Sequence, residues 1–207
     1  MKWTTVSSLL LILISAPVFS ASDQSETETA KGIAKETAIL AGGCFWCVES
    51  DFEKLDGVIE VISGYTGGHT ENPTYKQVSA GGTGHLEAAQ IIYDPKVISY
   101  TEILDYFWRH IDPTQGNGQF CDIGPSYRPA IFYNEAQKEL AIASKEKIEK
   151  TKPFSDPIKV ELIEASQFYP AEKYHQDYYK KNPLRYRYYR YGCGRDKRIE
   201  ELWGKSH

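Results

Sequence analysis

The sequence has no surplus of basic residues: 24 Lys and Arg stand against 28 Asp and Glu in 207 residues, a formal net charge of -4. A nucleic-acid face needs Lys and Arg gathered into a patch that neutralises phosphates, and this balance excludes one. The dense stretch RYRYYRYGCGR near the C-terminus therefore reads as a packed tail. Long apolar runs are missing too. A stable bilayer span needs ~20 such residues, and the run near the start extends only from Leu9 to Ile14. The four cysteines are Cys44, Cys47, Cys121 and Cys193, and the last two stand far apart. No second close cysteine pair or ligand-spaced histidine pair accompanies them, which argues against a zinc site. No internal repeat is visible.

What is present, 41% hydrophobic and 25% charged residues, is enough for one compact domain with a substantial core. The start, MKWTTVSSLLLILISAPVFSAS, places Lys2 before the apolar run and small residues around Ser20 and Ala21. That pattern predicts a cleaved secretory signal over 1–20, an uncleaved tether being the alternative. A flexible polar leader over 21–36 and one domain over 37–207 follow. The expected location is the bacterial periplasm or the medium. Four cysteines in an exported chain ordinarily form two structural disulfides, but a bond across Cys44 and Cys47 closes almost no loop and stabilises little. Redox work is the stronger reading of GGCFWCVES (42–50).

TAILAGG (37–43) reads as a buried strand ending in a glycine turn, and the apolar positions 44, 45, 48, 52 and 55 make a helical face starting at Cys44. A strand over 57–68, an irregular glycine-rich loop, and a strand from His85 with Glu87, Ala89, Ile91 and Tyr93 on one side come next. Ser99 and Glu102 form a capping box for a helix that buries Ile103, Leu104, Phe107, Trp108 and Ile111. After a second glycine-rich loop, RPAIFY is a strand, Asn134 caps a long helix, IKVELIEA is a strand, and a helix opens at Pro170. Strand, helix, strand, strand, helix, strand is the ferredoxin-like βαββαβ order. The expected fold is α+β, a two-layer α/β sandwich with a mixed or antiparallel sheet and a C-terminal helical and coil extension.

A thiolate is the reactive form of cysteine, and a helix N-terminus stabilises it through free N–H groups and the helix dipole. Cys44 is the candidate nucleophile on that ground. Phe45 and Trp46 cannot both turn fully inward from a first turn, so at least one walls an apolar pocket beside the sulfur.

GCFWC, GTGHLEA (82–88), DIGPSYR (122–128) and FYPAEKYHQDY (168–178) together resemble the A-type peptide methionine sulfoxide reductases, over about Thr37 to Trp203. The resemblance implies a peptide-methionine (S)-S-oxide reductase that repairs oxidised proteins. Cys44 would attack the sulfoxide sulfur, and Phe45 and Trp46 would hold the S-methyl group. Glu87 would be the acid near the oxygen, Tyr75 and Tyr127 the phenols bonded to it, and Asp122 part of the polar network. His175 lies in a family motif without a derived role. The chemistry asks for the same parts. A sulfoxide oxygen leaves only when protonated, so a carboxyl kept neutral by burial is required, and neutral phenols can polarise the oxygen.

Attack leaves a sulfenic acid that condenses with a second thiol. Cys193, in a glycine-flanked segment free to move, is the favoured partner. Cys47 follows closely and Cys121 is a third choice; many family members have glycine where Cys47 stands. A thioredoxin-like protein would reduce the disulfide, with no cofactor, no metal and a monomeric chain expected. Substrates would be oxidised proteins or free methionine sulfoxide. The rivals are a thiol–disulfide exchange protein, which has no need of Glu87, and a disulfide-stapled binding module, whose thiols would not respond to sulfoxide. Met1 is the only methionine, so the processed chain would carry no copy of its own substrate.

Overall fold

The computed structural model describes residues 34–205 together with Met1 and Trp3. The chain divides into two units, Met1–Gly32 and Ile33–His207, and every element below belongs to the second. The expected signal segment and most of the expected leader lie outside the described residues. Glu36 corrects the leader's end: it opens the first strand opposite Tyr93, whose hydroxyl donates to its carboxylate at 2.8 Å.

The elements run β1 (Glu36–Ala41), α1 (Phe45–Phe52), β2 (Val58–Thr66), α2 (Tyr75–Ala80), β3 (Leu86–Tyr93), α3 (Tyr100–Trp108), β4 (Gly118–Gln119) and β5 (Asp122–Ile123). Then follow β6 (Ala130–Tyr133), α4 (Lys138–Thr151), β7 (Glu161–Glu164), β8 (Tyr169–Pro170), α5 (Tyr178–Lys181), α6 (Pro183–Gly192) and α7 (Arg195–Trp203). One sheet has the order β7-β6-β1-β3-β2-β8, and β4 and β5 form a separate hairpin. The inner four strands are antiparallel neighbours in the ferredoxin-like order, and β7 joins parallel to β6. The fold is α+β with a mixed sheet.

Strand alternation decides which side chains meet the helices. Ala38, Leu40, Ala89, Ile91 and Ile131 point to the face covered by Val48 and Phe52 of α1, Leu104, Phe107 and Trp108 of α3, and Ile148 of α4. Trp108 is fully buried with its indole N–H satisfied by Ser144 Oγ at 2.8 Å. The opposite face, with Leu86, Ala88 and Phe132, lies under Phe168 of the irregular segment before β8. Glu87 falls on the helix side by the same alternation as Ala89 and Ile91, but at the end of the sheet where α1 begins. Gly43 makes that start possible: its φ is +82° and a Cβ there would lie 2.5 Å from Gln119 Cβ.

Three expectations change. The first glycine-rich loop contains α2, because Thr74 and Gln77 cap each other's backbone. α4 begins at Lys138 rather than directly after Asn134; the Asn134 side chain accepts from Gln137 N at 3.0 Å and closes a turn first. No helix opens at Pro170. That residue pairs with Gly64 on a sheet edge, where a missing N–H costs little, and Gln176 extends the edge by bonding both Ser63 N and Ser63 O. Asp177, at φ +54°, then holds the helix back to Tyr178. The C-terminal helical and coil extension ends in α6 and α7, pinned by Arg195 to the carbonyls of Gly42 and His110 at 3.1 and 2.9 Å.

Candidate active site

Cys44 is the N-cap of α1, and no side chain of its own caps the helix. Glu87 does so from β3, its Oε2 accepting from Phe45 N at 3.1 Å. The carboxyl is 2% exposed, and burial, reinforced by the charge of Asp122, pushes it up from the ordinary 4.5 to about 8 against the pull of the Phe45 N–H. It therefore carries a proton at neutral pH.

The sulfur of Cys44 differs from the sequence expectation of a resting thiolate. It is 6% exposed, and burial, the hydrogen bond to Cys47 and the charges of Cys47 and Glu87 raise its pKa well above that of a free thiol, while Tyr189 pulls it down. The capping position is shared with a carboxyl, so the helix N-terminus alone does not ionise the sulfur. Cys47 is lowered to about 7 by the hydrogen bond from Cys44 and by the Arg195 and Arg190 charges, against its own burial. In the resting pair the proton sits on Cys44 and negative charge gathers on Cys47.

Cys44, Phe45, Trp46, Tyr75, Glu87, Asp122 and Tyr127 line one cavity of about 60 Å³, and Tyr189 completes it. All seven of those first residues were named from the sequence. Tyr75 opens α2, its N–H bonded to Glu172 Oε1 at 2.9 Å; Tyr127 ends the short turn Pro125–Tyr127. Both phenols are raised by burial first and by the Glu87 charge next, so both remain neutral donors. Phe45 is fully buried against Tyr65, Val78 and Ala171. Trp46 stacks on Tyr178 with centroids 3.7 Å apart and planes at 5°. His175 acquires a place: its Nδ1 accepts from Trp46 Nε1 at 3.0 Å, and it is buried and held below its ordinary pKa by that burial. It is the neutral acceptor that fixes the indole.

The cysteines pair differently from the order of preference drawn from the sequence. Cys193 is bonded to Cys121, with Cα atoms 4.8 Å apart, while Cys44 and Cys47 are free and buried. The thiol beside Cys44 is Cys47, because α1 turns it there within one helical turn. A larger cleft of about 510 Å³, lined by Asp51, Lys54, His110, Arg190 and Glu200, contains none of the candidate site residues.

Residues 36–207 match the model of the peptide methionine sulfoxide reductase family. The chain belongs to this family. It is 52% identical over 174 residues to the peptide methionine sulfoxide reductase MsrA of Bacillus licheniformis, covering 84% of this chain and 96% of the relative. With the MsrA of Bacillus subtilis the figures are 54% over 171 residues, 82% and 97%. The MsrA/MsrB protein of Vibrio cholerae is 52% identical over 196 residues, 94% of this chain, which spans about half of that relative's length. Among solved structures, reduced Mxr1 of Saccharomyces cerevisiae superposes with a TM-score of 0.67 at 35% identity, covering 72% of this chain and 86% of that one. Methionine sulfoxide reductase A of Corynebacterium diphtheriae gives 0.63 at 32%, over 72% and 76%.

For the reductase, sequence reasoning missed three residues. Glu172 accepts from both Tyr75 N and the Tyr65 hydroxyl, at 2.9 and 2.8 Å. Tyr178 carries the Trp46 stack. Tyr189 reaches the cavity from a stretch dismissed as a tail; the signal was the three-residue spacing of Tyr186 and Tyr189, one helix face, while Tyr188 and Tyr191 stand in solvent.

Proposed function

We propose that Cys44 is the nucleophile, Glu87 the proton donor and Cys47 the resolving thiol of a peptide-methionine (S)-S-oxide reductase. The supporting observation is a single one: a buried thiol, a protonated carboxyl and two neutral phenols converge on a cavity sized for the methyl sulfoxide end of one side chain.

The Cys44 sulfur attacks the sulfoxide sulfur as its proton passes to Cys47 along their hydrogen bond. Glu87 delivers its proton to the sulfoxide oxygen, which Tyr75 and Tyr127 polarise. Methionine leaves, and the oxygen, now a hydroxyl, stays on Cys44 as a sulfenic acid. Cys47, holding the proton taken from Cys44, attacks that sulfur, and the proton leaves with the hydroxyl. Water departs, and a Cys44–Cys47 disulfide remains. Phe45 and Trp46 hold the S-methyl group, the indole fixed by His175 and Tyr178. Asp122 keeps negative charge near Glu87, which helps it retain its proton.

A thioredoxin-like protein returns the disulfide to thiols by exchange. Oxidised proteins and free methionine sulfoxide are the substrates, and the composition of 1–20 supports an exported enzyme. Among the described residues no helix is long and apolar enough to cross a membrane. The deciding experiment presents the S and R sulfoxides separately with dithiothreitol as reductant. Turnover of S alone, lost in Cys44→Ser, is the expected result; equal turnover of both, or activity surviving that substitution, defeats the assignment. Cell fractionation checks export.

A further inference from the structure

The cavity has one wall that no motif supplied. Tyr189, on α6, donates its hydroxyl to Asp122 Oδ2 at 2.5 Å, lines the cavity beside Cys44 and rests edge-on against Trp46 at 5.9 Å. Its partner Asp122 sits on the β4–β5 hairpin, next to Cys121. Cys193 caps the C-terminal end of the helix that carries Tyr189, its N–H bonded to Tyr189 O at 2.9 Å. The disulfide therefore ties together the two segments that meet in the Tyr189–Asp122 hydrogen bond, close to that bond on both sides.

The hairpin needs such a tie. Its tip is Phe120, a non-glycine residue at φ +57°, a left-handed conformation that persists only where surroundings enforce it. The Arg195 guanidinium lies over the Phe120 ring at 4.6 Å, and the disulfide holds the next residue. Cys121 is exposed and Cys193 half-buried, so this bond is open to reductant.

We propose that Tyr189 is a positioning residue of the sulfoxide site, and that the Cys121–Cys193 disulfide keeps it there by locking α6 to the hairpin that carries Asp122. The proposal rests on the reading of Cys44 and Glu87 above and adds a redox control to it: an intact bond holds the site closed and ordered, and reduction loosens one wall. The hydroxyl acts through its two partners. It supports the charge of Asp122, otherwise raised by burial, and that charge in turn keeps the proton on Glu87; it also favours the ionised form of Cys44. The charged and titratable groups around this wall are Cys44 at the start of α1 and Cys47 within it, Tyr75 from α2, Glu87 from β3, Tyr127 from the turn, and Arg195 from α7.

The test is a single-turnover assay of methionine release from the S sulfoxide, without added reductant, across pH 6 to 9. It uses protein whose Cys121–Cys193 bond is intact, Tyr189→Phe, Cys121→Ser/Cys193→Ser, and the triple variant. Tyr189→Phe keeps the ring against Trp46 and should slow release about tenfold, the loss of one hydrogen bond to a charged group. Its alkaline limb should move to lower pH, since Glu87 then loses its proton sooner. The double serine variant should be slowed to a lesser degree, and Tyr189→Phe should cost much less in that background, because both changes break the same connection. Unchanged thermal midpoints separate these effects from misfolding, and Cys121→Ala/Cys193→Ala replaces the serine pair should the latter fold poorly. A parental rate and pH profile in Tyr189→Phe overturns the proposal. So does a double variant whose first turnover is parental. Wild-type protein that releases no methionine would instead sink the assigned function.

Discussion

Glu87→Gln tests both the chemistry and the energetic cost of the buried acid. In the folded protein the carboxyl ionises near 8 rather than at the ordinary 4.5. Between those values the folded chain binds a proton that the unfolded chain has released, so stability falls as pH rises through the window and levels off above it. Each pH unit of that difference is worth about 1.4 kcal/mol, so the parent should lose about 3 to 4 kcal/mol between pH 5 and 8 through this one group. Gln cannot titrate, yet its amide oxygen can still accept from Phe45 N, so the cap on α1 survives. Urea unfolding at pH 5, 6.5 and 8 should show the variant gaining on the parent by about 3 kcal/mol across the range, other titrating groups being common to both. The same variant should lose about 10²- to 10⁴-fold in kcat/KM for the S sulfoxide, the contribution of a positioned acid. Parallel pH curves for the two proteins would refute the buried neutral acid, and parental turnover would refute its role. Retained disulfide exchange with lost sulfoxide reduction is the contrast that the exchange-protein reading cannot produce.

Three other outcomes follow. kcat/KM should fall above pH about 8 as Glu87 loses its proton, and a profile still rising at pH 9 would contradict this. Cys47→Ser should release one methionine per chain and stop with a sulfenic acid on Cys44 that dimedone labels; the parent, mapped by peptide mass after one turnover without reductant, should show a Cys44–Cys47 bond. Phe45→Ala removes a ring that is 1% exposed and should lower stability by about 3–5 kcal/mol, as well as raise KM, in denaturation and initial-rate measurements.

Local signals in this chain were legible where they were self-contained. The Ser99–Glu102 box, the period of two in β3 and the helical period after Cys44 each depend on neighbours a few residues away, and each appears as read. The helix expected at Pro170 did not form, because its polar groups are used elsewhere: the Gln176 side chain pairs with Ser63 on the sheet edge, and the Asp177 backbone N–H donates to Glu49 of α1 at 2.6 Å. The ionisation of Cys44 was misjudged for the same reason. A helix start argues for a thiolate only when nothing else occupies it, and here a carboxyl arrives from 43 positions away.

The sequence by itself determined the kind of chemistry, since a cysteine at a helix start, aromatics beside it and a strand-borne glutamate are written into short motifs. It also determined the order of the core elements, through periodicity. Only the tertiary structure decided which sulfur carries the proton and which cysteines share a bond. Those outcomes depend on burial, on arginines donated by the last two helices, and on the meeting of Cys121 with Cys193 across 72 positions. Distances through space set them, and no local pattern encodes such distances.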